Sequence, residues 1–201
     1  LEPGAEGFAA VGRAFARVHG VERRFHHGSF QQPRFGRFAR RLVVRHREWA
    51  QELAREPEAP DDLPARHQRF LDRFPLRRCG GPFQLLHRRC TESDVMVDVR
   101  GKGWVLEPQR CGFGCYLTDL VRIEQRICGG DVDSIGSLHK GYFDAVAAAR
   151  RDHYDALAPV FRADLHLASA VRWARKRRKD HPDAEAAFAR EHARYRRIVE
   201  A

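Results

Sequence analysis

The sequence predicts a mainly α fold: an α-dominated α+β chain, helical at both ends, with one small β-hairpin around residues 94–107. Apolar residues recur at three- and four-residue steps through both outer thirds, the spacing of amphipathic helices. A period of two occurs once, where Val95, Val97 and Val99 alternate with Met96 and Asp98. The glycine-containing RGKG and then Trp104-Val105-Leu106 follow, so two short strands around a turn are expected.

The elements run in order. Phe8, Val11, Phe15 and Val18 predict a helix over 4–19, which VERRFHHGSFQQP breaks. Phe35, Phe38, Leu42, Trp49 and Leu53 predict a second helix through Arg55. EPEAPDDLP (56–64) reads as a linker, dense in proline and acid. A short helix over 65–74 ends at Pro75, and FQLLHRRC (83–90) reads as another. After the hairpin, CGFGC reads as a loop entering a helix from Leu117 to Cys128, which Gly129-Gly130 stops. A helix capped by Ser137 follows and is interrupted at Pro159. It resumes from Phe161 to Lys179, and after Pro182 comes a last helix with its acids early and its arginines late. Three segments result: 1–56, 62–131 and 137–201, expected to pack as one compact domain.

Charge points to partners. Thirty-seven Lys and Arg stand against 27 Asp and Glu, a net +10, and nearly all the cations are arginine, whose planar fork suits phosphate and carboxylate. In RWARKRRK the cations are Arg172, Arg175, Lys176, Arg177, Arg178 and Lys179, with Trp173 interleaved as a stacking platform. The expected function is therefore a non-catalytic nucleic-acid-binding protein, DNA or RNA, regulatory or part of a nucleoprotein assembly. An acidic protein surface is the alternative partner. No membrane is expected, since no run approaches the ~18 apolar residues of a span. Five cysteines at irregular spacing do not form a secreted disulfide framework and suggest reduced thiols in a cytoplasm.

The order helix 37–55, helix 65–74, helix 83–90 and hairpin resembles a winged-helix module. That resemblance would put Arg88 and Arg89 on a groove-entering helix and Arg100 and Lys102 on a phosphate-contacting wing.

The cysteines carry the enzyme alternative. Cys111 and Cys115 form one C-x₃-C pair, and with Cys128 they are candidate zinc ligands, although a second pair is missing. Cys111-Gly-Phe and then Cys128-Gly-Gly-Asp131 resemble the C…C-x-x-D core of the small 2-amino-thiazoline-4-carboxylate hydrolase family. The resemblance spans residues 111–131. No cysteine follows Cys128, so the family's later cysteine segment has no counterpart, and the activity is not carried over. Asp131-Val-Asp133-Ser-Ile-Gly136 lacks the later oxygens of a calcium loop. No H-E-x-x-H occurs. Asp152 to Asp155 and Asp164-x-His166 are acid–base residue types on helices that read as surface, so no catalytic residue is assigned.

Overall fold

A computed structural model describes residues 4–21, 23–29, 33–34, 37–107 and 111–201. Phe35, placed by periodicity at the start of the second helix, lies outside these. The described chain is mainly α with a small amount of sheet, and it divides into two compact units. The first comprises residues 1–36 and 79–155, and the second 37–78 and 156–201.

In the first unit, helix α1 (Ala5–Val21) packs most extensively on α5 (Val132–Phe143). Two glycines allow this. A Cβ on Gly12 would strike the carbonyl of Leu138, and one on Gly141 would strike that of Ala9, so the helices meet backbone to backbone. Phe8, Val11 and Phe15 of α1 and Leu138 and Tyr142 of α5 are buried around this contact. A five-stranded antiparallel sheet has the order β1-β4-β7-β2-β3. Its strands are β1 (Arg23–Arg24), β2 (His27–Ser29), β3 (Pro33–Arg34), β4 (Phe83–Leu86) and β7 (Gly112–Gly114). The expected hairpin forms as β5 (Val95–Val97) and β6 (Gly103–Val105), with Met96 opposite Trp104. Helix α4 (Leu117–Arg126) buries Leu117, Leu120 and Ile123 completely.

The second unit is helical. It holds α2 (Phe38–Leu53), α3 (Leu63–Asp72), α7 (Ala184–Glu200) and the part of α6 (Ala149–Arg177) that follows Asp155. Its core includes Leu42, Leu53, Phe70, Leu167, Phe188 and Tyr195.

Three local expectations are corrected. Residues 83–86 form strand β4, not a helix, because they pair on one side with β1 and on the other with β7. Four residues are too few for periodicity to speak, and the ladder overrides propensity. CGFGC is not a loop: its centre is β7, buried throughout. Gly112 is required there because a Cβ would collide with the carbonyl of Gly28 on β2. Pro159 lies inside α6 and does not interrupt it. A mid-helix proline costs about 3 kcal/mol, and each buried neighbour such as Leu157, Val160 or Phe161 returns roughly 1.5–3 kcal/mol.

Candidate functional site

The chain leaves β4 at Leu86 and enters β5 at Val95, and the loop between them, 87–94, is held from beneath by one carboxylate. Asp119, on the first turn of α4 and fully buried, accepts the backbone N–H of His87 at 2.6 Å and that of Arg88 at 2.8 Å. Two successive N–H groups converge on one anion, a nest-like clasp. Arg88 adopts a left-handed φ of 72°, a conformation that costs a non-glycine residue about 1–3 kcal/mol and that the surroundings must hold in place.

A second tier fixes Asp119. His19 of α1 lies beside it, Nε2 3.5 Å from Oδ2, and its Nδ1 is 2.8 Å from the Tyr142 hydroxyl. Arg150 donates to the same hydroxyl at 2.9 Å, so the Tyr142 O–H is directed to His19 Nδ1. Arg150 also lies over the Tyr116 ring, whose hydroxyl donates to the Arg150 carbonyl at 2.6 Å. Complete burial pushes the His19 pKa down, against the opposing pull of Asp119.

The far end of the loop is tied to the hairpin exit. The Leu106 N–H donates to the Asp94 carbonyl at 2.8 Å, and His87 Nε2 is 2.8 Å from the Leu106 carbonyl. Thr91 donates its N–H and its hydroxyl to Asp94 Oδ2, at 2.7 and 2.8 Å. The next residue after Leu106, the exposed Glu107, is also left-handed, at φ 56°. Loop and exit thus meet at the Asp94–Leu106 backbone bond, and Glu107 follows Leu106 directly. One ring nitrogen of His87, the Cys90 sulfur and a carboxylate oxygen of Asp94 lie within 4.8 Å of one another. Burial, with Asp119 and Asp94 nearby, pushes the Cys90 thiol far above its ordinary range.

The residues singled out in sequence fall in other places. Arg88 and Arg89 are on this loop rather than on a helix. Arg100 and Lys102 sit at the hairpin tip, where Asp98 accepts both of their backbone N–H groups and Lys102 stacks on Trp104 at 4.1 Å. In the second unit the run 172–179 is bound to the supposed linker. Arg177 pairs with Glu56 at 2.5 Å, Glu58 at 2.9 Å and Glu185 at 3.2 Å. Arg178 pairs with Glu56 at 2.7 Å and Arg175 with Glu52 at 2.5 Å. These pairs lower the pKa of Glu52 and Glu58 through the guanidinium hydrogen bonds and raise that of Arg177. Lys176 and Arg172 lie over the half-buried Trp173, at 4.3 and 5.8 Å, and Lys179 is exposed beyond them.

Cys111 and Cys115 stand at opposite ends of β7, roughly 13 Å apart at ~3.3 Å per strand residue, so one metal ion cannot join them there. Cys128 follows the far end of α4. Among the described residues the only group of three within ligand reach is His87, Cys90 and Asp94. Of the acid–base types, Asp164 pairs with Arg45 and His46, and His166 with Glu191 at 2.9 Å. Sequence reading missed Asp119, Asp94 and Glu107. The signal was present as His87-Arg88 followed by an acid at Asp94, between a short strand and a hairpin, and mistaking β4 for a helix concealed it.

Three solved structures match the whole chain. They are a choline/ethanolamine kinase family protein from Mesorhizobium loti (17% identity, TM-score 0.58), an aminoglycoside phosphotransferase from Alicyclobacillus acidocaldarius (12%, 0.60) and a spectinomycin phosphotransferase in complex with ADP and spectinomycin (11%, 0.57). The chain spans 70%, 66% and 65% of their lengths. No protein-family model matches, and no curated protein matches in sequence. The fold is therefore that of kinase-like phosphotransferases. This corrects two expectations. The winged-helix order does not describe the chain, whose third "helix" is a sheet strand. The nucleic-acid-binding regulator gives way to a small-molecule kinase-like fold, in which the most cationic segment is engaged by acids of its own chain. No described helix is long and apolar enough to cross a membrane.

Proposed function

We propose that this chain is the part of a small-molecule kinase-like protein that holds nucleotide phosphates at the loop 87–94 and Glu107. The observation that carries the reading is the frame of that loop. Kinase catalytic loops have the pattern H-R-D-L-x-x-x-N, where Asp accepts the substrate proton and Asn holds a metal ion. A second acid after the following hairpin holds magnesium. Here the same spacing reads His87-Arg88-Arg89-Cys90-x-x-x-Asp94, with Glu107 after the hairpin. The clasp by Asp119 supports the reading, because it fixes the loop to a rigid helix, as phosphate positioning requires.

The carboxylate of Glu107 is a hard oxygen donor that fits magnesium, which would neutralise charge on the nucleotide phosphates. Arg89 stands where the proton acceptor would be, and it is exposed. A guanidinium cannot take up a proton, but it binds phosphate oxygens bidentately. The loop is thus built for binding a phosphoryl group, and its transfer to a hydroxyl is slowed. The ADP of one structural neighbour, and choline, ethanolamine, aminoglycoside and spectinomycin in the neighbours' names, support a small-molecule substrate class for this reading. A nucleotide-rich cytoplasm is the setting this implies, and the free cysteines fit it.

Calorimetric titration of the intact protein with ADP and magnesium tests the reading. Binding that needs magnesium and is weakened at least about tenfold by Glu107→Ala is expected. Absence of magnesium-dependent nucleotide binding would overturn it.

A further inference from the structure

The geometry points to a thiolate-containing site for a zinc-type divalent ion on the inner side of the loop, with His87, Cys90 and Asp94 as its three protein ligands. One ring nitrogen of His87, the Cys90 sulfur and one Asp94 carboxylate oxygen lie within 4.8 Å of one another. Tetrahedral zinc, with ligands at about 2.0–2.3 Å, would draw them to roughly 3.3–3.8 Å from one another, a contraction of about 1 Å.

The histidine carries an independent mark. A carbonyl oxygen can only accept, so the 2.8 Å contact between His87 Nε2 and the Leu106 carbonyl places the ring proton on Nε2. Nδ1 then presents a lone pair. His87 is 3% exposed, and Nδ1 has no hydrogen-bond partner. A buried acceptor with nothing to accept is unfavourable unless something else occupies it. A histidine whose outer nitrogen donates to a backbone carbonyl while its inner nitrogen is bare has the arrangement of a metal-ligating imidazole. Asp94 is likewise oriented by its Thr91 bonds.

Charge balances at the site. A divalent ion meets one carboxylate and one thiolate, so the centre is neutral, and the Cys90 proton is released to solvent on binding. The set of one nitrogen, one sulfur and one oxygen suits zinc or cobalt and excludes magnesium and calcium, which take oxygen ligands. One argument also rests on the kinase reading. Relative to H-R-D-L-x-x-x-N, the change Leu to Cys adds a thiolate and the change Asn to Asp exchanges a neutral oxygen ligand for a charged one. The ion would lock the loop on its inner face and leave Glu107 for the nucleotide's magnesium.

The test titrates the metal-free intact protein with cobalt(II) in the absence of nucleotide. One ion per chain, a thiolate-to-cobalt charge-transfer band and its displacement by zinc are expected. Cys90→Ser should abolish the band and Asp94→Asn weaken affinity by about tenfold or more, whereas Cys111→Ser and Cys128→Ser should leave both unchanged. If Cys90→Ser does not fold, X-ray absorption of the zinc-loaded native protein decides, since one sulfur among nitrogen and oxygen neighbours is expected. No binding, a band that survives Cys90→Ser, or a zinc shell with no sulfur or with several would overturn the site. Failure of nucleotide binding with an intact cobalt band would count against the kinase reading alone.

Discussion

The backbone N–H of His87 ends on Asp119 Oδ2 at 2.6 Å, with both residues buried, so the loop that carries the candidate chemistry hangs from one carboxylate of helix α4. Everything proposed for the site depends on that attachment. His19, Tyr142 and Arg150 are arranged behind it and serve to hold the acid in place.

Asp119→Ala should therefore cost about 3–5 kcal/mol. It strands one buried and one part-buried N–H group, each at roughly 1–3 kcal/mol, and removes charged hydrogen bonds. Urea unfolding monitored by circular dichroism gives the value. A loss under about 1 kcal/mol would mean that the loop is held some other way.

The basic run offers a graded comparison. Arg177 is 17% exposed and satisfies Glu56, which is 5% exposed. Removing it leaves a nearly buried carboxylate with Arg178 alone. Arg177→Ala should cost about 2–3 kcal/mol, discounted from the ~3–5 kcal/mol of a fully buried broken pair. Arg175→Ala, at a pair whose arginine is 58% exposed, should cost less than about 1 kcal/mol. Equal costs for the two would contradict the burial argument.

Acid should destabilise the second unit through a buried chain of titratable groups. Asp164 Oδ1 lies 2.9 Å from His46 Nε2, His46 Nδ1 3.0 Å from His67 Nε2, and His67 Nδ1 2.8 Å from the Tyr195 hydroxyl. Burial, then His46, pushes His67 down to about 3 from its ordinary 6.5. Burial works to raise Asp164, but Arg45 and His46 outweigh it and hold that carboxyl at about 2. Between pH 6.5 and 3 the unfolded chain binds a proton at His67 that the folded chain does not, so stability falls as pH falls through that window. Between about pH 3.8 and 2 the unfolded chain also protonates Asp164 while the folded chain keeps it ionised, and this adds to the loss. Unfolding free energies measured from pH 7.5 to 4.5 should decline by up to about 1.4 kcal/mol per pH unit from His67. His67→Gln should flatten the slope, and an unchanged slope in that variant would contradict the assignment.

Much of the helical frame was legible because burial imposes a period on long segments. Leu42 and Leu53, or Phe8 and Phe15, announce their faces, and the half-buried Val95 and Val97, alternating with the exposed Met96, do so in the hairpin. The five-stranded sheet was not legible. Its strands are two to four residues long, too short to show alternation, and Gly112 and Gly114 suggested a loop although close approach to β2 and β4 is what demands them. The basic run was visible in sequence, but its partners Glu52, Glu56 and Glu58 lie some 120 residues away along the chain and only folding unites them. The site suffered from both effects, since its loop follows a four-residue strand and its anchor, Asp119, lies 32 residues beyond His87.

Arg89→Asp should act in the opposite sense to an ordinary site mutation. Restoring a proton acceptor at that position should speed transfer from ATP to a hydroxyl-bearing small molecule by about 10²-fold or more, the usual contribution of a general base. Nucleotide affinity should fall at the same time, because a phosphate-binding cation is lost. Slower transfer in the variant would show that Arg89 does not occupy the base's position.

The central claim is that nucleotide phosphates meet the chain at loop 87–94 and Glu107. It is tested most directly by titrating the isotopically labelled protein with ADP and paramagnetic manganese(II) and following amide signals by nuclear magnetic resonance. The account predicts that the signals of Arg88, Arg89, Asp94 and Glu107 broaden first, while those of residues 172–179 persist. Broadening centred on 172–179, with the loop unaffected, would contradict it.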